Sequence, residues 1–334
     1  MNIQQKPFAL FIFGPTAVGK NDFALEIAQH LPVEIINGDI GQFYTPLTIG
    51  TSKPDWRNES VVHHLFDIID EPKNFTVCDY RAILIKTVQD VWIRGKLPII
   101  VGGSGFYIKS IFFPPSKNSQ ENDCNVVDEK FSDATASQLW EQLNEIDSKR
   151  ADQVDKNDLY RIKRALIIWK KTGQKPSVFV PSYNPPFHFM VLNLDRDTGE
   201  LYNRINTRTG QMLGEGWIQE VEKLLNTEWE PFLYKKKLIG YDILLDYCSG
   251  EKRNASDSIS KKDAVELIQR YTRNYAKRQK TFWKSLKKQL NREIAANSKK
   301  SYYGATASVN LTLLDRPLYI NQVSKKLRVY LKKV

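Results

Sequence analysis

Three cysteines, Cys78, Cys124 and Cys248, stand far apart in a chain of 334 residues and form no C-x-x-C pair. That excludes a disulfide framework and the common zinc modules, and it suits a reducing cytoplasm. The four histidines offer no metal-ligand spacing, although His63 and His64 are adjacent. No apolar run approaches the roughly 18 residues of a membrane span. The run from Phe8 to Phe13 is too short for a signal h-region and passes straight into a glycine loop. Internal repeats are also lacking. Acids are in the minority: 38 Asp and Glu face 49 Lys and Arg, a formal charge of +11. Such an excess favours a polyanionic partner, nucleic acid being the commonest, over a merely basic surface. What remains is 41% apolar and 11% aromatic, enough for a proper core. The length allows two domains, or one core with a sizeable insertion.

The first hundred residues alternate strands and helices. "FALFIFG" reads as a buried strand and "NDFALEIAQHL" as a helix with Phe23, Ala24, Ile27, Ala28 and Leu31 on one face. "VEIINGD" is a second strand ending at Asp39, "HHLFDII" a further short strand, "DYRAILIKTVQDVWIRG" a helix, and "LPIIVGGSG" a strand entering a glycine turn. Repeated strand–helix units predict a parallel sheet with helices on both faces, with ligands at the carboxyl ends of its strands. The polar and proline-marked stretches around 117 and 187 bracket a helical insertion, so the expected organisation is a core of 1–116, an insertion of 117–187, and a second core part of 188–334. In that last part "FMVLNLDRD" is a strand and Glu200–Leu213 a helix. A helix over Asp263–Leu290 places Arg270, Arg273, Lys277, Lys280, Lys284 and Lys287 on one stripe, with Ala264, Ile268, Tyr271, Tyr275, Phe282 and Leu286 opposite. A solvated lysine face is the bland reading; the lack of any acid between Arg270 and Leu290 favours contact with a phosphate backbone. "SVNLTLLD" predicts a terminal strand and "VSKKLRVYLKK" a final basic helix.

"GPTAVGKN" at 14–21 carries the glycines and lysine of G-x-x-x-x-G-K-[ST], with Asn21 in place of the hydroxyl residue. Gly14 and Gly19 let the chain wrap an anion, the following helix directs its positive end there, and Lys20 adds a full charge. The loop specifies a phosphate, not ATP. An amide oxygen at Asn21 is a competent hard ligand, so a Mg²⁺ role is open to it.

The chain resembles the tRNA dimethylallyltransferases, also called tRNA isopentenyltransferases. The resemblance rests on "GPTAVGK" at 14–20, "GDIGQFY" at 38–44, "IGTSKP" at 49–54, "HHLFDI" at 63–68, "VGGSGFY" at 101–107, "ND-LYRIKRAL" at 157–166, "LYNRINTRTGQMLGEGW" at 201–217, "LIGY" at 238–241 and "TRNYAKRQKTFW" at 272–283. It implies a fold similar to the P-loop kinases. It also implies transfer of a dimethylallyl group from dimethylallyl diphosphate to the exocyclic amine of the adenosine 3′ of the tRNA anticodon, with release of diphosphate and with Mg²⁺ as cofactor. By the same resemblance Gly14, Pro15, Thr16, Ala17, Val18, Gly19, Lys20 and Asn21 hold the diphosphate, while Asp39, Ser104, Arg208 and Lys20 are catalytic. Contacts to tRNA fall on Asp39, Ile40, Gly41 and Gln42, on Tyr160, Arg161 and Arg164, on Lys237, and on Arg273, Lys277, Arg278 and Lys280. Ile40 stands where the family usually has serine, and Asp242 where many relatives have lysine or arginine; 118–140 is acidic where relatives are basic. Two alternatives accompany this reading: a P-loop small-molecule kinase that binds ATP, and a relative that binds tRNA without transferring the prenyl group. Retention of Lys20, Asp39, Ser104 and Arg208 speaks for the transferase. A cytoplasmic monomer with no membrane or protein partner is the expected state.

Overall fold

The computed structural model describes residues 6–115, 131, 134–250, 259–297 and 303–331. Most of the acidic stretch 118–140, the middle of the polar loop after 249 and the last residues of the basic tail lie outside them. Among the described residues six strands form one parallel sheet in the order β3-β2-β4-β1-β5-β6. They are β1 (Phe8–Phe13), β2 (Val33–Asn37), β3 (His63–His64), β4 (Leu97–Gly102), β5 (His188–Asp195) and β6 (Gly304–Asn310). Strands β1 and β4 are buried at every position, which is what continuous apolar runs require when helices cover both faces of a parallel sheet. Phe13 is level with Gly102 on one side and Asn193 on the other, and Asn37 with Val101. The loops that follow β1, β2, β4 and β5 therefore emerge along one edge.

The helices before the insertion are α1 (Lys20–Ala28), α2 (Val77–Ile93) and α3 (Gly105–Phe112), whose last residues already belong to it. After it come α7 (Thr198–Gly214), α8 (Trp217–Glu222), α9 (Trp229–Lys236), α10 (Tyr241–Ser249), α11 (Lys261–Ala296) and α12 (Arg316–Leu331). α1 and α12 pack on one apolar layer with Phe23, Ile27, Leu192, Ile320 and Leu327. α2 starts on a reciprocal cap between Thr76 and Asp79.

By contact the chain divides into two units, one of residues up to Lys109 together with those from Pro186, the other Ser110–Pro185. The second unit is helical: α4 (Ala136–Ile146), α5 (Ser148–Ala151) and α6 (Leu159–Thr172) enclose Leu139, Leu143, Ile162 and Leu166. Asp147 is buried there and satisfied by the amides of Arg150 and Ser177.

Three expectations are corrected. The strand read over 63–69 pairs only at His63 and His64. Leu65 and Asp67 take positive φ, and Asp67 turns to Lys53, Trp56 and Arg57 instead of continuing the ladder. The terminal strand lies earlier than "SVNLTLLD", over Gly304–Asn310 beside β5. Along α11 the buried row is Ala264, Ile268, Ala276, Gln279, Trp283, Leu286 and Leu290, while Tyr271 is 41% exposed. The row turns because Trp283 packs against Phe13 at 5.8 Å and Gln279 bonds to the strand-end loops.

Gly102 marks a close crossing of two backbones. A Cβ there would lie 2.3 Å from the carbonyl carbon of Gly38, so the loops after β2 and β4 can approach only without a side chain. Gly102→Ala is expected to destabilise the protein by about 3 kcal/mol, at the upper end for overpacking a rigid backbone contact. Urea unfolding measures it, with Gly199→Ala, which has open space around it, as the control.

Candidate active site

Gly19 takes φ +99° and Ala17 φ +60°, so the chain curls before it enters α1. The first amides of α1 have no carbonyl a turn earlier to bond, which leaves them as anion donors. Lys20 Nζ lies back along the loop and donates to the carbonyls of Gly14 at 3.2 Å and Pro15 at 3.1 Å. Two arginines hold the outside of the loop: Arg204 Nε donates to Ala17 O at 2.8 Å and Arg196 Nε to Val18 O at 2.9 Å.

Asp39 follows β2. Its Oδ1 accepts from the amide of Gly103 at 2.6 Å and from Ser104 Oγ at 3.1 Å, while Ser104 Oγ accepts from the amide of Ile40 at 3.1 Å. Asn37 Oδ1 accepts from the Asp39 amide at 2.8 Å, and Tyr80 donates to Asn37 O at 3.2 Å. The carboxylate is thus fixed from behind. Gln279 ties the two loops together: its Oε1 accepts from the Thr16 amide at 2.9 Å and its Nε2 donates to Gly103 O at 2.9 Å.

These groups line one cleft of about 960 Å³, with Thr16, Ala17, Gly19, Lys20, Asn21, Asp39, Ile40, Gly41, Gln42, Ser104, Arg208, Lys237 and Arg278 on its walls. Burial is the main influence on both inner cations: it pushes Lys20 and Arg208 below their usual values, and the charge of Asp39 pulls both back up. Arg208 Nε donates to Ser52 Oγ at 2.6 Å.

Of the other residues named from the sequence, Gly14, Pro15 and Val18 form the loop without lining the cleft. Arg273 bonds to Asn206 Oδ1 at 2.8 Å, and Lys280 pairs with Asp195 at 2.7 Å and donates to Arg196 O at 3.0 Å. Lys277 is exposed beside the Tyr202 ring. The predicted basic stripe is therefore divided, with Arg273 and Lys280 committed to internal partners. Tyr160, Arg161 and Arg164 lie on exposed positions of α6 in the second unit. Gln279, Arg204, Arg196 and Ser52 escaped sequence reasoning. Only the i, i+4 spacing of Arg204 and Arg208 on α7 signalled a shared face.

No three His, Cys, Asp or Glu residues cluster as a metal site among the described residues. The donor set suits an ion carried by a bound diphosphate, with Asn21 supplying at most one amide oxygen.

A parallel sheet with a glycine loop after a central strand, a lysine in that loop and a carboxylate at the end of β2 makes up a P-loop-like fold. The IPP transferase family model matches residues 42–286, beginning beyond the glycine loop, β2 and Asp39. The tRNA dimethylallyltransferase of Geobacter sulfurreducens is 35% identical over 82% of this chain and 88% of its own length, and that of Acetivibrio thermocellus 34% over 83% and 88%. Among solved structures, the tRNA delta(2)-isopentenylpyrophosphate transferase of Staphylococcus epidermidis superposes with a TM-score of 0.62 at 27% identity, covering 97% of this chain and 99% of its own. The tRNA isopentenylpyrophosphate transferase of Bacillus halodurans gives 0.61 at 28%, covering 98% of each. The chain belongs to the IPP transferase family.

Lys20 yields the prediction of this site. Lys20→Met is expected to leave the free protein as stable or more so, since burial already opposes its charge, and to weaken pyrophosphate binding about 30-fold. Binding needs the protonated amine, whose pKa in the fold lies below 10.5. Affinity is therefore lost as pH rises through that lowered value, and Lys20→Met lacks this limb. Calorimetric titration with pyrophosphate across pH measures both effects.

Proposed function

We propose that the protein is a tRNA dimethylallyltransferase. It moves a dimethylallyl group from dimethylallyl diphosphate to the exocyclic amine of the adenosine 3′ of the anticodon. The observation that carries this is the convergence of a half-buried lysine, a half-buried arginine and one fixed carboxylate in a single cleft that α11 flanks with Tyr275, Arg278 and Gln279. Family membership gives the reaction class.

The donor diphosphate lies on the amides around 16–21, with Lys20 and Arg208 at its oxygens. The adenine amine attacks the donor's C1. The N–C bond forms as the C–O bond breaks, and that electron pair leaves on the diphosphate. The amine is a weak nucleophile, so its proton passes to Asp39, whose Oδ1 already accepts two hydrogen bonds and whose Oδ2 takes none among the described residues. Lys20, Arg208 and the loop amides meet the charge that develops on the leaving group. Ser104 orients Asp39. Mg²⁺, carried on the diphosphate with Asn21 beside it, would neutralise further leaving-group charge. The base must leave its stack to reach Asp39, which a loop permits at least expense. Ile40, Gly41 and Gln42 line the path it takes, with Lys237, Lys277 and Arg278 near the RNA backbone, and Tyr160, Arg161 and Arg164 as contacts from the helical unit. No helix is long and apolar enough to cross a membrane among the described residues, and the protein acts in the cytoplasm.

The test is nucleoside mass spectrometry of an unmodified anticodon stem-loop after incubation with dimethylallyl diphosphate over a Mg²⁺ series. The expected product is prenylated at one adenosine. Asp39→Asn should lower the single-turnover rate roughly 10³-fold, within the range of a lost general base, with RNA binding retained. Asn21→Thr should shift the Mg²⁺ midpoint and leave the product unchanged. RNA that stays unmodified while ATP is turned over would make the protein a kinase.

A further inference from the structure

Thr48, Ile49 and Gly50 present three successive backbone amides to one point. That arrangement is an anion nest, and the protein fills it with its own carboxylate. Glu220, on α8, accepts through Oε2 from Thr48 N at 2.9 Å and Ile49 N at 2.6 Å, and through Oε1 from Gly50 N at 3.1 Å and Tyr241 Oη at 2.7 Å. Burial and the charge of Glu220 hold the Tyr241 phenol protonated, so it stays a donor. Glu220 itself does not line the cleft; of the residues it grips, Gly50 and Tyr241 do, as do Thr51 and Ser52 next along the chain.

The segment Thr48–Ser52 has no ladder or helix of its own. Gly50 lies so close to the Trp217 indole that a Cβ would fall 2.1 Å from its Nε1. The far end of the segment carries two functional links. Ser52, at φ +51°, receives Arg208 Nε on its hydroxyl at 2.6 Å. Thr51 O and Ser52 O receive Gln42 Nε2 at 3.1 and 3.2 Å. One carboxylate outside the cleft thereby sets the segment that aims Arg208.

We propose that Glu220 is a positioning residue for prenyl transfer, acting through the 48–52 segment and Ser52 to hold Arg208 at the leaving diphosphate. This rests on the transferase reading of the cleft. A carboxylate is required because all four groups facing it are donors; a carboxamide turns an N–H of its own toward them. The consequence is specific. Loss of Glu220 slows the step in which leaving-group charge develops and leaves RNA affinity nearly unchanged.

The test is a double-mutant cycle of Glu220→Gln and Ser52→Ala, read by single-turnover transfer at saturating donor and RNA, by RNA affinity, and by pyrophosphate binding to the free protein. Each single variant is expected to slow transfer roughly 10- to 100-fold, less than loss of the arginine itself. In the Ser52→Ala background Glu220→Gln should add less than about twofold, as for residues acting through one contact. RNA affinity should stay within about threefold, where a general structural defect would move it too. Multiplying rather than overlapping effects would overturn the proposal. So would a Ser52→Ala enzyme with the native rate, a result that does not depend on whether Glu220→Gln folds. A native protein that transfers nothing defeats the transferase reading instead. Pyrophosphate binding then still decides the Glu220–Ser52–Arg208 link, by showing the same non-additivity or by lacking it.

Discussion

Two half-buried cations, Lys20 and Arg208, face the same carboxylate, and the architecture follows from keeping that arrangement in place. Burial works against the charge of both Lys20 and Arg208, and Asp39 is the group that favours both. Separate strands or helices supply the three: Lys20 opens the helix after β1, Asp39 follows β2, and Arg208 comes from α7. A parallel sheet is the economical way to bring the ends of several strands to one edge, and β1 at the centre puts the glycine loop beside its neighbours. On the proposed function, a diphosphate would supply the negative charge that the two cations lack. The same feature that makes the free cleft electrostatically unfavourable would then favour an anionic ligand.

Holding such a cleft open takes polar joints rather than apolar packing. Gln279 is the clearest, a 5% exposed amide that spends its oxygen on the glycine loop and its nitrogen on the loop of Gly103. It makes α11 part of the phosphate site as well as a basic flank. Gly103 confirms how close that joint is, since a Cβ there would meet Gln279 Nε2 at 2.3 Å. The 48–52 segment is held in the same manner from the other side of the cleft. Both joints are multi-bond polar networks at least partly shielded from water, which fix geometry when satisfied and are costly when broken.

Much of this was legible in the sequence, because it rests on local rules. Apolar runs of strand length, glycines at strand ends and a lysine in the helix start predict the parallel sheet and its phosphate loop from residues close together in the chain. Asp39 and Ser104 could be placed by the same loops. Gln279 could not: it reads as an unremarkable polar residue within a lysine-rich helix until the fold carries it 263 residues back to Thr16. The helix face was misjudged for that reason, since hydrophobic periodicity assigns tyrosines to the core and glutamine to solvent. The strand over 63–69 failed differently. Its apolar residues suit a short strand, but Asp67 gains more from Lys53, Trp56 and Arg57 than from the ladder. Charge periodicity could not reveal that Arg273 and Lys280 are held by Asn206 and Asp195.

The most direct test of the account is a structure of the protein with an unreactive thio-diphosphate donor analogue and an anticodon stem-loop. The account places the diphosphate on the amides around Thr16–Asn21 with both Lys20 Nζ and Arg208 in contact. It also places the exocyclic amine of one extruded adenine within hydrogen-bonding distance, about 3 Å, of the free Asp39 oxygen. A diphosphate bound away from Arg208, or an adenine whose amine faces away from Asp39, would contradict it.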